Sequence, residues 1–207
     1  MAIKDNWFLS IFQNVYPFGS VKPSGFAVPI KINDIETTVP QDWSHITVEQ
    51  FMAIQAASAD DNLGKLAAFL NIKKEDLFNC RQVDLSLKVY PLLKWYTKPY
   101  HHNKYPKSIV IAGKTYLRPI TLGVTSLGQF DLLVKAIQSC TEKGNSIDTI
   151  LPDIIAIVFC KDVTGVISEQ SIEQTKQLVL KSPFPQAMDM AIFFYQRFNA
   201  YLNAKVG

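Results

Sequence analysis

Two short strand-like pairs, each closed by a proline and each followed by a glutamine–phenylalanine pair, constrain this chain more than any other feature. Pro40 is followed ten residues later by Gln50-Phe51, and Pro119 ten residues later by Gln129-Phe130. Ile30 and Ile32 match Ile109 and Ile111 at the same offset. Hairpin, proline and helix therefore occur twice in one order, as in an internal duplication or two uses of one supersecondary unit. An isolated hairpin is at best marginally stable in water, so helices must cover each one.

The pattern around these landmarks predicts the elements. Residues 26–32 and 35–39 have strand period and flank the turn Asn33-Asp34, with Pro29 confining the first strand to an edge. Thr47 precedes Val48-Glu49-Gln50, a capping box that starts a helix. A second helix carries Leu63, Leu66, Phe69 and Leu70 and is capped near residues 58–61. Residues 83–96 are ambiguous: Val83, Leu85, Leu87 and Val89 alternate like a strand, but Leu92, Leu93, Trp95 and Tyr96 suit a helix, and we read the stretch as helix. The second hairpin runs through residues 108–112, the turn Gly113-Lys114 and residues 115–118. A helix then starts near Thr125 or Ser126 and stops before Gly144. Ser146 opens a helix that is apolar nearly all round as far as Val158, which places it in the centre of a core. Helices over residues 171–180 and from Ala187 onward complete the series. The expected fold is mainly α with two β-hairpins (α+β). Two similar hairpin-plus-helices units surround a shared helical core, as residues 26–100 and 101–207. Residues 1–25 form an aromatic N-terminal arm in which Trp7, Phe8, Ile11, Phe12 and Val15 recur at helical spacing. Such an arm either folds back on its own core or docks on a neighbour.

Composition narrows the function classes. A hydrophobic fraction of 48% is too apolar for disorder, and 207 residues suffice to bury a core without staples. Cys80, Cys140 and Cys160 stand far apart with no C-x-x-C spacing, which suits buried thiols in a reducing compartment. No secretory signal pattern opens the chain, and no apolar run approaches the roughly 20 residues that span a bilayer. A soluble protein of a reducing compartment is expected, without membrane contact.

Catalysis needs converging titratable groups, and few are available. His45 sits in a turn before a helix, and the adjacent His101 and His102 point apart on regular structure. Metal-binding, nucleophile-elbow and phosphate-loop motifs are absent. Asp60-Asp61 and Glu75-Asp76 fall where helices start, so they complement the backbone dipole. A Cys–His dyad assembled in space remains open to the sequence. No catalytic residue, metal or cofactor is expected. One electrostatic feature is uneven: from Leu85 through Phe130 there is no acid but there are seven bases. Within that stretch Lys94, Trp95, Lys98, Tyr100, Lys104, Tyr105 and Lys107 interleave charge with aromatic rings. This composition suits phosphate contact with base stacking through Lys94, Lys98, Lys104 and Lys107, or an acidic protein surface, or a solvated connector.

Val39-Pro40-Gln41-Asp42-Trp43 and Ile46-Thr47-Val48-Glu49-Gln50-Phe51 resemble short motifs in small proteins from the structural gene modules of tailed bacteriophages of Bacteroidetes hosts. Leu127-Gly128-Gln129-Phe130-Asp131-Leu132 and Ala191-Ile192-Phe193-Phe194-Tyr195 share that character. The resemblance implies a virion component near the head–tail connector or tail, or a tail assembly chaperone absent from the finished particle. It implies other virion or assembly proteins as partners in an oligomeric assembly, with nucleic acid secondary. Expected partner-binding residues are Trp7, Phe8, Ile11 and Phe12 in the arm, with Trp95, Tyr100, Lys104 and Tyr105 in the basic stretch.

Overall fold

Alternation of Val28, Ile30 and Ile32 with Pro29 and Lys31 gives a strand with one apolar face. In the computed structural model, which describes residues 27–32, 34–58, 60–98, 100–102, 105–120 and 126–206, this strand is β1 (Val28–Ile32). It pairs antiparallel with β2 (Ile35–Val39), Val28 opposite Val39 and Ile32 opposite Ile35, so the inward residues meet across the pair. The expected turn residue Asn33 lies outside the described residues. The chain separates into two compact units, Met1–His101 and His102–Gly207.

In the first unit Val39 leads through Pro40 to a 3-10 turn, Trp43–His45, where Asp42 accepts from the Ser44 N–H at 2.7 Å. Helix α1 (Val48–Ala56) follows its capping box, and α2 (Asn62–Leu70) is capped by Asp61, which accepts from the Gly64 N–H at 2.8 Å. Asn71 ends α2 in the left-handed conformation, φ 52°. Helices α3 (Lys74–Phe78) and α4 (Gln82–Lys88) and a 3-10 segment, Tyr90–Thr97, complete the unit. The ambiguous stretch is therefore helical, with a change of winding where Pro91 enters. Helix α1 packs on α2, α2 on β2 and α4 on β1. Ile32, Val39, Phe51, Ile54, Phe69 and Leu70 are buried.

The second unit repeats the opening moves. Strands β3 (Ser108–Ile111) and β4 (Lys114–Leu117) pair with Ile111 opposite Lys114. The turn is thus Ala112-Gly113 rather than Gly113-Lys114. Both residues have positive φ, 50° and 76°, the combination that matches the twist of a two-residue hairpin. Register outranks the usual cost of about 1–2 kcal/mol for a left-handed alanine. Helix α5 (Leu127–Glu142) starts at the Ser126 cap. The helix expected from Ser146 is instead a 3-10 turn, Ile147–Ile150, followed by α6 (Leu151–Thr164). Pro152 has no N–H to continue a helix from residue 147, but it fits the first turn of a new one. Helix α7 (Glu169–Leu180) begins two residues before the expected start, because Ser168 is the cap and Ser171 answers it. Helix α8 (Phe184–Val206) also begins early, Pro185 being tolerated in its first turn. Ile154 to Cys160 are buried without interruption, so α6 is central to the unit and packs on α5, α7 and α8. The open edge of β3 is closed by a side chain: Gln186 Nε2 donates to Ser108 O at 3.2 Å, and the Val110 N–H donates to Gln186 Oε1 at 3.0 Å. Among the described residues no helix is long and apolar enough to cross a membrane.

One glutamine ties helix to helix in each unit. The Thr47 N–H donates to Gln50 Oε1 at 3.0 Å and the Gln50 N–H to Thr47 Oγ1 at 3.2 Å; Gln50 Nε2 then donates to Phe69 O at 3.0 Å and Ala68 O at 3.3 Å. The Ser126 N–H donates to Gln129 Oε1 at 3.0 Å and the Gln129 N–H to Ser126 Oγ at 3.2 Å; Gln129 Nε2 donates to Ile157 O at 2.7 Å and Val158 O at 3.2 Å. The same residue thus caps its own helix and anchors the next helix. The sequence repeat is a repeat of structure.

Candidate functional site

A gathering of polar and aromatic groups lies in the second unit, between the start of its chain, the end of β4 and α8. Helical spacing places Asp189, Phe193, Gln196 and Arg197 on neighbouring turns of α8. His102 Nδ1 lies 2.8 Å from Asp189 Oδ1, and the His102 ring packs on Tyr105 with centroids 4.5 Å apart. Tyr105 donates its hydroxyl hydrogen to Gln196 Oε1 and meets Phe193 edge-on at 5.5 Å. The backbone N–H of Arg118 donates to Lys107 O at 2.8 Å, which extends the hairpin by one bond and aims Arg118 at α8. Its guanidinium carbon sits 4.1 Å from the Phe193 centroid, and that of Arg197 sits 5.4 Å from the same ring. Guanidinium over an aromatic face is favourable, by about 0.5–2 kcal/mol depending on exposure.

The sequence-predicted residues fall in different parts of the chain's structure, some in each unit. Trp7, Phe8, Ile11, Phe12 and Lys104 lie outside the described residues. The division between the units falls at His101 and His102, inside the basic aromatic stretch. Lys94 and Trp95 belong to the 3-10 segment rather than to a loop. The Trp95 indole N–H donates to Pro40 O at 2.8 Å, and the ring packs against Trp43, Phe69 and Tyr96. Tyr100 packs on Trp43. Lys98 and Lys107 are exposed, the first in the first unit and the second in the other. Arg118 was visible as one of seven bases in an acid-free stretch, but its meeting with Phe193 and Arg197 depends on tertiary structure. The available signal was the four-residue spacing of Phe193 and Arg197 on one predicted helix face.

Other chemistry-bearing groups are dispersed. His45 Nδ1 accepts from the Gln41 N–H at 3.4 Å and faces Asp42. Arg81 and then Lys88 hold the Asp84 carboxyl below the usual carboxylate range, and the Lys74 and Gly64 hydrogen bonds do the same for Asp61. Burial pushes the Cys160 thiol up, and burial together with Asp84 and Asp76 pushes Cys80 up, the opposite of an activated nucleophile. None of the three cysteines is in a disulfide. Among the described residues no group of three or more His, Cys, Asp or Glu is placed to hold a metal ion. An open groove of about 440 Å³ on the second unit runs between α5 and α6, with Leu132, Ala136, Cys140 and Ile157 on its floor and Lys135 and Lys143 on its rim.

Compared with known proteins, the chain matches no family model, no curated protein and no solved structure.

Proposed function

We propose that this chain is a non-enzymatic structural or assembly protein of a tailed phage particle, placed at the head–tail connector or tail and acting through protein–protein contacts. One observation carries the reading: Leu117, Ile120 and Leu127, close together in the sequence of the second unit, are 77%, 84% and 86% exposed. Phe78, Val83 and Leu87 add exposed apolar side chains on α3 and α4 of the first unit. Single exposed leucines are ordinary, but such groups mark places where a partner removes them from water. Each side chain of this size gains about 1.5–3 kcal/mol when fully buried. The likeness of residues 39–51 and 127–132 to phage structural-module proteins supplies the setting.

Mass spectrometry of purified particles from a phage that encodes the chain tests this reading. The wild-type chain is expected in the particle. An Ile120→Glu, Leu127→Glu variant is expected to keep its circular dichroism and melting behaviour while its incorporation falls severalfold. Equal incorporation of wild type and variant would overturn the surface assignment. A wild-type chain required for assembly yet missing from particles would make it a chaperone instead.

A further inference from the structure

The ion pairs of the described residues engage neither Arg118 nor Arg197. Both guanidinium carbons lie over one ring, 4.1 Å and 5.4 Å from its centroid, so the two charges are at most about 9.5 Å apart. That is close to the screening length of physiological salt, so they repel each other only partly screened. Arg118 is half-buried, and its Nη1 is shut off from solvent with no hydrogen-bond acceptor. A buried guanidinium nitrogen without an acceptor is costly and calls for an explanation. Asp189, the one acidic residue in the sequence of α8, lies 2.8 Å from His102 Nδ1. The two cations are therefore held in place, by ring stacking and by the hairpin, with no ion-pair partner among the described residues.

We infer that Arg118 and Arg197, clamped on Phe193, form a docking site for carboxylate side chains of an acidic segment of a partner protein. The guanidinium fork of the exposed Arg197 matches a carboxylate in a two-bond geometry, the half-buried Arg118 adds its charge beside it, and prior clamping lowers the entropy lost on binding. A nucleic acid would present anions too, but the ring beneath the two guanidinium groups is closed to base stacking. Phe193 is 5% exposed, covered by the two arginines and by Tyr105, and Tyr105 is itself packed on His102. Leu117 and Ile120, next to Arg118 in the sequence, are exposed apolar side chains of the same unit, the kind of group that protein interfaces cover. This inference rests on the protein-contact reading and adds the chemistry of the partner.

Fluorescence anisotropy of the full chain at low salt tests it with three labelled probes: an alternating Glu/Leu peptide, a Gln/Leu peptide of equal length, and a single-stranded oligothymidylate. The Glu/Leu peptide is expected to bind more tightly than the other two. Arg118→Gln and Arg197→Gln are each expected to weaken it about tenfold, the scale of one charge-assisted hydrogen bond. Lys31→Gln, in the other unit, leaves it unchanged. Equal binding of the two peptides overturns the proposal, as does unchanged affinity in the arginine variants. Arginine-dependent binding of the oligothymidylate in preference to the Glu/Leu peptide overturns it in favour of nucleic acid. Should Arg118→Gln unfold the chain, the exposed Arg197 carries the test alone. No particle enters this assay, so arginine-dependent peptide binding by a chain that particles exclude would sink the virion assignment and leave the docking site standing.

Discussion

The two units put the same glutamine into different electrical settings. Gln50 is half-buried, and its amide serves Ala68 O and Phe69 O in the last turn of α2, where the regular helix ladder ends and Ala68 O also takes the Asn71 N–H at 3.2 Å. Gln129 is 3% exposed, and its amide reaches Ile157 O and Val158 O in the middle of α6, where the helix ladder already supplies N–H donors. In the first unit the glutamine adds donors at a helix end; in the second the carbonyls satisfy a buried glutamine. One local motif can thus recur intact while its energetic meaning is set by what surrounds it. The capping box decides where the helix starts, and the far end of the side chain decides which part of the next helix it meets.

Replacing each glutamine by glutamate gives the largest expected contrast. Glutamate is a normal partner in a capping box, and at position 50 it can turn its charge toward water, so Gln50→Glu is expected to cost at most about 1 kcal/mol. At position 129 one carboxylate oxygen would keep the Ser126 N–H, but the other would face two carbonyl oxygens in the buried interior. Gln129→Glu is therefore expected to cost about 3–5 kcal/mol at neutral pH, as for an uncompensated buried charge. The introduced acid would have its pKa raised by burial, so the loss should shrink as pH falls and the protonated acid donates to Ile157 O. Urea unfolding at neutral and mildly acidic pH reads both effects. Equal costs at the two positions would mean that burial does not separate the units.

Much of this contrast was legible beforehand, and the reasons for the rest are physical. Thr47 with Gln50 and Ser126 with Gln129 announce helix starts through local hydrogen bonds, and Ile154 to Cys160 announce burial by having no polar face. Local chemistry is written in neighbouring residues. The 3-10 turn before α6 was missed because periodicity continues through Pro152 while the hydrogen-bond ladder does not. The hairpin turn was misplaced because glycine preference suggested position 113 as its first residue, whereas cross-strand register put Ala112 there. The cluster around Phe193 joins residues 105, 118 and 197, and no short-range pattern links segments so far apart. Trp95 illustrates the same limit, since composition marked it as a contact residue and tertiary structure gives its N–H to Pro40.

Trp95 and Tyr105 sharpen the comparison at a smaller scale. Each is an aromatic ring from the basic stretch with a polar handle, but their hydrogen bonds differ in setting. Trp95 packs among three rings and donates to a backbone carbonyl, so Trp95→Phe is expected to cost about 1–2 kcal/mol in lost area and an unpaired acceptor. Tyr105 donates to the exposed Gln196, where water can replace it, and Tyr105→Phe is expected to stay within about 0.5 kcal/mol. Denaturant unfolding followed by far-ultraviolet circular dichroism compares them directly. A Tyr105 variant as damaging as the Trp95 variant would show that the outer face of α8 is part of the stabilising core.

The smallest contrast concerns two glycines in the first turns of α2 and α5, where sign rather than size is informative. A Cβ on Gly128 would meet only Ser126 Oγ at 4.0 Å, so Gly128→Ala should give the ordinary helix gain of about 0.5–1 kcal/mol. A Cβ on Gly64 would stand 2.4 Å from Asp61 Oδ2 and 2.8 Å from its Cγ. It would push away the carboxylate that caps α2 and pairs with Lys74 at 2.8 Å, so Gly64→Ala should lower stability despite the better helix former. The Lys74 hydrogen bond, then the Gly64 N–H, hold the Asp61 pKa below its ordinary 3.8. A depressed carboxylate pKa adds stability that is complete above the unfolded value and lost as pH falls through the folded one. The deficit of Gly64→Ala should therefore shrink in acid below about pH 3.8, while the gain of Gly128→Ala persists. Thermal melts of both variants at neutral and acid pH decide it. A gain at both glycines would remove Asp61 from the account of how α2 begins, because a carboxylate essential to that cap cannot be displaced without loss.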